Sequence, residues 1–88
     1  MSVTTKIKVL MFAGARDRVR ADHIEMDIQL PVTVAELKLK LEESNSDLHA
    51  FLQHGRIAIQ NEFVDDSFLL DLESSQTAIA LIPPVSGG

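Results

Sequence analysis

From His23 to Leu30 the chain alternates without a break. Ile24, Met26, Ile28 and Leu30 fall on one side, and His23, Glu25, Asp27 and Gln29 on the other. A period of two predicts a strand with one face buried, and Pro31, which has no N–H for a ladder, closes it. Lys6–Phe12 reads the same way, with Ile7, Val9 and Met11 on one face and Lys6, Lys8, Leu10 and Phe12 on the other. The two strands are expected to pair antiparallel. The second face of the first strand turns apolar at its far end. There Ala13-Gly14-Ala15 ends it, and Arg16–Arg20 follows as a charged turn or short helix.

The period changes at Thr33. Thr33-Val34-Ala35-Glu36 is a capping-box sequence, in which the threonine hydroxyl takes the third amide of the helix and the glutamate reaches back. The helix it opens runs to about Ser44, with Val34, Leu37 and Leu41 as its buried stripe and Leu39 off it. A second, short helix is expected over Leu48–Gln53, with Leu48, Phe51 and Leu52 inward and Gly55 as its stop. Arg56–Gln60 reads as a strand, Asn61-Glu62 as a turn and Phe63-Val64 as resumed pairing. Phe68, Leu69, Leu70 and Leu72 are expected to supply core from an irregular segment. The last strand spans Thr77–Ile82, with Ile79 and Leu81 inward and Ala78, Ala80 and Ile82 outward. The order predicts an α+β two-layer domain, a mixed sheet with one main helix packed on one face.

One helix cannot cover both faces of a sheet. If the first and last strands are neighbours, Leu10, Phe12, Ala78, Ala80 and Ile82 gather on the outer face as an apolar docking surface for a partner. The alternative is that the charged segment after Phe12 shields it. The last strand runs into Pro83-Pro84, which cannot continue a ladder. The body is therefore expected to span residues 1–82. Residues 83–88 (Pro83, Pro84, Val85, Ser86, Gly87 and Gly88) are expected to form an extended tail for insertion into a partner, with a reach of roughly 20 Å. A tip without side chains enters a slot closed to any residue with a Cβ. Its functional group is the Gly88 carboxylate.

Composition narrows the chemistry. Eighty-eight residues make one small domain, and a formal net charge of −5 argues against general nucleic-acid binding and for a basic partner surface. With no cysteine there is no disulfide, thiolate metal site or persulfide. No apolar run approaches a bilayer span and no signal peptide opens the chain, so the expected location is the cytoplasm, without membrane partners. His23, His49 and His54 lack metal-ligand spacing. Asp65-Asp66 and Glu42-Glu43 read as solvated charges, and so do Arg16, Arg18 and Arg20 around Asp17. The serines lack an elbow motif, and the isolated Gly14 and Gly55 make no phosphate loop. The chain is expected to hold no metal or cofactor and to have no active site of its own. Gly88 is left as the reacting residue. Its carboxylate, with an ordinary pKa of about 3.3–3.7, is an anion at neutral pH and a poor electrophile. Adenylation with ATP on another protein would activate it. A nitrogen nucleophile would then make the chain a tag. A sulfur nucleophile would make it a sulfur donor, which the absence of cysteine fits.

The strand ending Phe12-Ala13-Gly14, the helix start Pro31–Leu37, Ile57–Val64 and above all Ala78–Gly88, ending Pro-Pro-Val-Ser-Gly-Gly, resemble the molybdopterin synthase small-subunit family. These are the sulfur-carrier subunits also called molybdopterin-converting factor subunit 1. The resemblance spans nearly the whole chain. It implies a ubiquitin-like β-grasp fold and a heterotetrameric complex in which this subunit is not the catalyst. It implies that an E1-like adenylyltransferase activates Gly88, which becomes a thiocarboxylate. It further implies that the tail enters the large subunit and donates sulfur to cyclic pyranopterin monophosphate in molybdenum cofactor synthesis. Ile82 and the Phe12 side of the sheet would dock both partners. The family's usual Gly-Asp before the last strand is Gln76-Thr77 here, and its Val-Asn is Ile59-Gln60. A carrier for thiamine or tRNA thiolation, or a ubiquitin-like protein modifier, is the alternative.

Overall fold

The computed structural model describes residues 3–83. In chain order these form β1 (Val3–Met11), α1 (Ala13–Val19), β2 (His23–Leu30), β3 (Val32–Thr33) and α2 (Val34–Ser44). A single 3-10 turn (Ser46–Leu48) then leads to α3 (His49–His54), β4 (Arg56–Ile59), β5 (Glu62–Val64), β6 (Leu69–Leu70), α4 (Leu72–Ser75) and β7 (Ile79–Ile82).

Five strands form one sheet in the order β2-β1-β7-β4-β5, and β3 pairs with β6 in a separate two-stranded piece. β1 and β2 run antiparallel from Val3↔Leu30 to Leu10↔His23, as their shared alternation predicts. β7 lies in the middle, parallel to β1 (Val9↔Ile79, Leu10↔Ala80, Met11↔Leu81) and antiparallel to β4. Residues paired across neighbouring strands point to the same face. The inner face therefore carries Val9, Ile79 and Ile59 in one row and Met11, Leu81 and Ile57 in the next. Val34, Leu37 and Leu41 of α2 are completely buried and join these residues, with Leu48, Leu52 and Leu70, in a single core. A mixed sheet with its first and last strands parallel at the centre, and a helix packed on one face, is the β-grasp arrangement of an α+β domain.

The caps explain where the helices begin. The Thr33 hydroxyl oxygen accepts from the Glu36 amide at 3.2 Å, and its proton goes to Glu36 Oε1 at 3.1 Å. The glutamate thus closes on the threonine side chain rather than on its backbone. Asp71 and Ser74 form a complete reciprocal box at the start of α4.

Several local expectations are corrected. β1 begins at Val3, and Ala13–Val19 is a helix that buries only Ala15. The β4–β5 turn is Gln60-Asn61, with φ of 54° and 66°, and Glu62 already belongs to β5. Two successive positive φ values match the right-handed twist of a tight hairpin, and that displaces the turn by one residue. β7 starts at Ile79, and the Ala78 carbonyl just before it accepts from the Gln60 amide at 2.9 Å. Leu70 is buried, but Leu69 and Leu72 are half-exposed: alternation along the two-residue β6 sends Leu69 outward, and Leu72 stands at the start of the one-turn helix α4.

Candidate functional site: the open sheet face and the end of the central strand

Successive registers carry one row across all five strands: His23, Leu10, Ala80, Ala58 and Phe63. This is the outer face. Leu10 is half-buried, and Phe63 at the edge is 55% exposed. Ala80 is 8% and Ala58 9% exposed, which corrects the expectation of an exposed Ala80. Neither belongs to the core cluster on the other face of the sheet. Leu10 and Phe63 flank these two small side chains in the row, so the face has a shallow apolar floor between larger residues.

Phe12 is extended (φ −130°, ψ 154°), so it continues the alternation of β1 on the Leu10 side. Its ring is 44% exposed. Since β1 and β7 are parallel and Met11 pairs with Leu81, Phe12 comes level with Ile82. Ile82 and Pro83 are half-buried. Ala78 is exposed and borders a shallow cleft with Lys8 and Leu10. The structure thus unites Leu10 and Ala80 in one row, sets Phe12 and Ile82 at the end where the chain leaves the sheet, and places Ala78 at the opposite end of β7. Of the tail, Pro83 follows β7 without joining it, while Pro84, Val85, Ser86, Gly87 and Gly88 lie outside the described residues. α1 follows Phe12 but leaves that ring open.

Two members of the face were not anticipated: Ala58 and Phe63. The Arg56 guanidinium lies over the Phe63 ring, 4.5 Å from its centroid. Such a pair is worth about 0.5–1 kcal/mol at an exposed site and holds the ring in place beside the apolar floor. An aromatic in a short run just past a turn was the available signal, but its face depended on the displaced turn.

At the foot of the face, Gly55 ends α3, its amide donating to the Phe51 carbonyl at 2.7 Å. It sits against the exit of β7: a Cβ there would lie 2.3 Å from the Phe51 oxygen and 2.7 Å from the Ile82 oxygen.

Elsewhere the charged groups serve structure. His49 Nδ1 lies 2.8 Å from Glu42 Oε1, joining α3 to α2, and Lys38 Nζ lies 2.7 Å from Asp66 Oδ1. Bonds from the Ser67 hydroxyl and amide hold the Asp65 carboxyl below its ordinary pKa. The Ser74 amide and hydroxyl do the same for Asp71. Among the described residues no three His, Cys, Asp or Glu side chains converge to hold a metal, and no helix is long and apolar enough to cross a membrane. The chemistry this arrangement supports is presentation: an apolar face for a protein partner, beside the point where the chain end departs.

Comparison with known proteins agrees with that geometry. Residues 9–88 match the model of the ThiS family. The chain is 32% identical to the molybdopterin synthase sulfur carrier subunit of Synechococcus elongatus, covering 98% of this chain and all of that protein. Its fold is shared by the crystal structure of SAMP1 from Haloferax volcanii, with a TM-score of 0.77, 20% identity, 96% of this chain and all of that one covered. It is shared as well by a complex of subunits 1 and 2 of molybdopterin-converting factor from Helicobacter pylori, with a TM-score of 0.64, 22% identity and the same coverage. The chain therefore belongs to the ThiS family, as a ubiquitin-like β-grasp protein related to the molybdopterin synthase sulfur carrier subunits.

Proposed function

We propose that this chain is the sulfur-carrier subunit of a molybdopterin synthase and that Gly88 is its reacting residue. One observation carries the reading: the central strand β7 ends at Ile82 beside the apolar outer face, so a docked partner meets the root of the tail at once. The relationship to the Synechococcus sulfur carrier subunit supports it.

The chemistry begins on an E1-like adenylyltransferase. A Gly88 carboxylate oxygen attacks the α-phosphorus of ATP, releasing pyrophosphate and leaving an acyl-adenylate. A sulfur nucleophile at the oxidation level of sulfide attacks the acyl carbon. The C–S bond forms, the C–O bond to AMP breaks, and a thiocarboxylate remains. The carrier then docks on the large subunit through Leu10, Phe12, Ala78, Ala80 and Ile82, now joined by Ala58 and Phe63. Pro83, Pro84, Val85, Ser86 and Gly87 reach into that subunit's active site. There the thiocarboxylate sulfur forms a C–S bond to a carbon of cyclic pyranopterin monophosphate while that carbon's bond to oxygen breaks and the oxygen leaves with a proton or on the phosphate. Water then cleaves the acyl–sulfur bond, restoring the Gly88 carboxylate and leaving the sulfur on the pterin. The carrier supplies no general acid or base and holds no cofactor; ATP belongs to the activating enzyme. The large-subunit partner is inferred from the Helicobacter complex of subunits 1 and 2. A heterotetramer in the cytoplasm completes the reading.

Intact-mass analysis tests it. Protein co-expressed with its adenylyltransferase and a sulfur source should carry one oxygen exchanged for sulfur at Gly88, and adding the large subunit and the pterin should reverse the exchange. Lysine adducts on other proteins would instead indicate a modifier. Sulfur transfer to a thiazole or tRNA acceptor alone would indicate a carrier for another pathway.

A further inference from the structure

The backbone angles of Gly55, φ −87° and ψ −175°, are ones that any residue adopts. Conformational freedom therefore does not explain the glycine; its surroundings do. A Cβ would meet the Phe51 oxygen at 2.3 Å, the Ile82 oxygen at 2.7 Å and the Pro83 Cα at 3.4 Å. All are backbone atoms, so none can swing aside as the end of a side chain would. Two of the three belong to the last residue of β7 and the first beyond it. Because Arg56 pairs with Ile82 in an antiparallel ladder, Gly55 is the residue that faces Pro83. The Gly55 amide is already bonded to the Phe51 carbonyl, and Pro83 has no N–H. No ladder donor passes between the two. The angle at which the chain leaves the sheet is therefore set there by direct backbone contact.

We propose that Gly55 is a positioning residue for the reaction at Gly88: its bare Cα lets Ile82 and Pro83 lie against the end of α3, and so directs the tail into the partner's slot. The inference rests on the sulfur-carrier reading. Misplacement of a reacting group by about 1 Å costs on the order of 10²-fold in rate. Gly55 touches neither substrate nor the acyl carbon; it acts through Ile82 and Pro83.

The test is single-turnover sulfur transfer from the thiocarboxylated full-length carrier to cyclic pyranopterin monophosphate at saturating large subunit, with partner affinity and thermal unfolding measured in parallel. Gly55→Ala should slow the saturated rate by about 10²-fold while the Leu10–Phe63 row still binds the large subunit. A merely structural role would lower the unfolding temperature and leave the saturated rate of the folded protein unchanged; that result would overturn the proposal. If Gly55→Ala does not fold, Pro83→Gly decides, since it leaves Gly55 and Phe51 untouched and frees only the root of the tail. It should unfold as the wild type does and slow the saturated rate roughly tenfold. A wild-type rate in Pro83→Gly would then overturn the proposal. Failure of the wild-type chain to acquire or transfer sulfur would overturn the carrier reading and the proposal together, whereas normal transfer by the variants overturns the positioning role alone.

Discussion

Ala58 and Ala80 lie opposite one another where β4 pairs with β7, and each is less than a tenth exposed although neither belongs to the core cluster on the other face. Their methyl groups form the floor between Leu10 and Phe63. A floor made of methyl groups admits a protruding apolar side chain from a partner, and it leaves no room for a charge. Ala80→Asp should keep the fold, at a cost of up to about 1 kcal/mol for a poor strand former. It should weaken binding of the large subunit by about 10²-fold or more, because an unpaired carboxylate is buried at the centre of the interface. Titration calorimetry beside circular dichroism measures both. Binding at wild-type strength would place the interface on another face.

Stability and docking should separate cleanly. Leu37 is completely buried between α2 and the sheet, so Leu37→Ala should cost about 2–5 kcal/mol. A domain of this size has only about 4–13 kcal/mol in total. Thr33→Ala, which removes the hydroxyl that accepts the Glu36 amide, should cost about 1 kcal/mol. Both side chains sit away from the outer row, so the folded fraction of each variant should bind the large subunit as the wild type does. Urea unfolding gives the first quantity and binding of the folded protein the second. A specific loss of affinity in Thr33→Ala would show that α2 also contacts the partner.

The first two strands and the main helix were legible because one residue pattern decided each of them, whereas β3 and β6, two residues each, are too short to show a pattern. Ile24 to Leu30 alternates, Thr33 caps, and Val34, Leu37 and Leu41 repeat at helical spacing. What was not legible depended on neighbours distant in the chain. Phe63 joins the outer row only through the Gln60-Asn61 turn and the register with Ala58. Ala80 is flanked by Leu10 and Ala58 only once β7 lies between β1 and β4. Gly55 reads in isolation as an ordinary helix stop, and its second role appears only when Ile82 is folded against it. Leu69 and Leu72 were expected inside on hydrophobicity alone, but the two-residue strand β6 buries only Leu70, and Leu72 opens the one-turn helix α4 half-exposed.

The α4 cap predicts a response to acid. The Ser74 amide and hydroxyl both bond Asp71 Oδ1, at 2.8 and 2.9 Å, and hold that carboxyl below its ordinary value of 3.8. A pKa lower in the folded chain than in the unfolded one means that folding favours the ionised form. The contribution is then fully present above the ordinary value and is lost as pH falls through the lowered one. Asp65, held by Ser67, acts in the same direction. The midpoint of unfolding should therefore be flat above about pH 5 on this account and decline below pH 4. Asp71→Asn should start less stable at neutral pH and show a shallower decline. An equal slope in the variant would assign the acid sensitivity to other carboxyls.

The final prediction concerns the chain end. β7 ends at Ile82, and among the described residues the last fully buried member of the core is Leu81. One alanine added after Gly88 should therefore leave the unfolding curve and the affinity for the large subunit unchanged, because neither the core nor the outer row is touched. It should abolish sulfur loading, since the Gly88 carboxylate becomes a peptide amide, which has no carboxylate oxygen to attack ATP. The new terminal carboxylate would stand one residue further out, behind a Cβ that a glycine-shaped slot excludes. Deleting Gly88 should fail for the complementary reason, a carboxylate that falls about 3.5 Å short. Mass analysis after loading distinguishes these outcomes from simple misfolding. A normally loaded and active extended variant would mean that the reacting group is not the Gly88 carboxylate, and it would remove the chemical basis for reading this chain as a sulfur carrier.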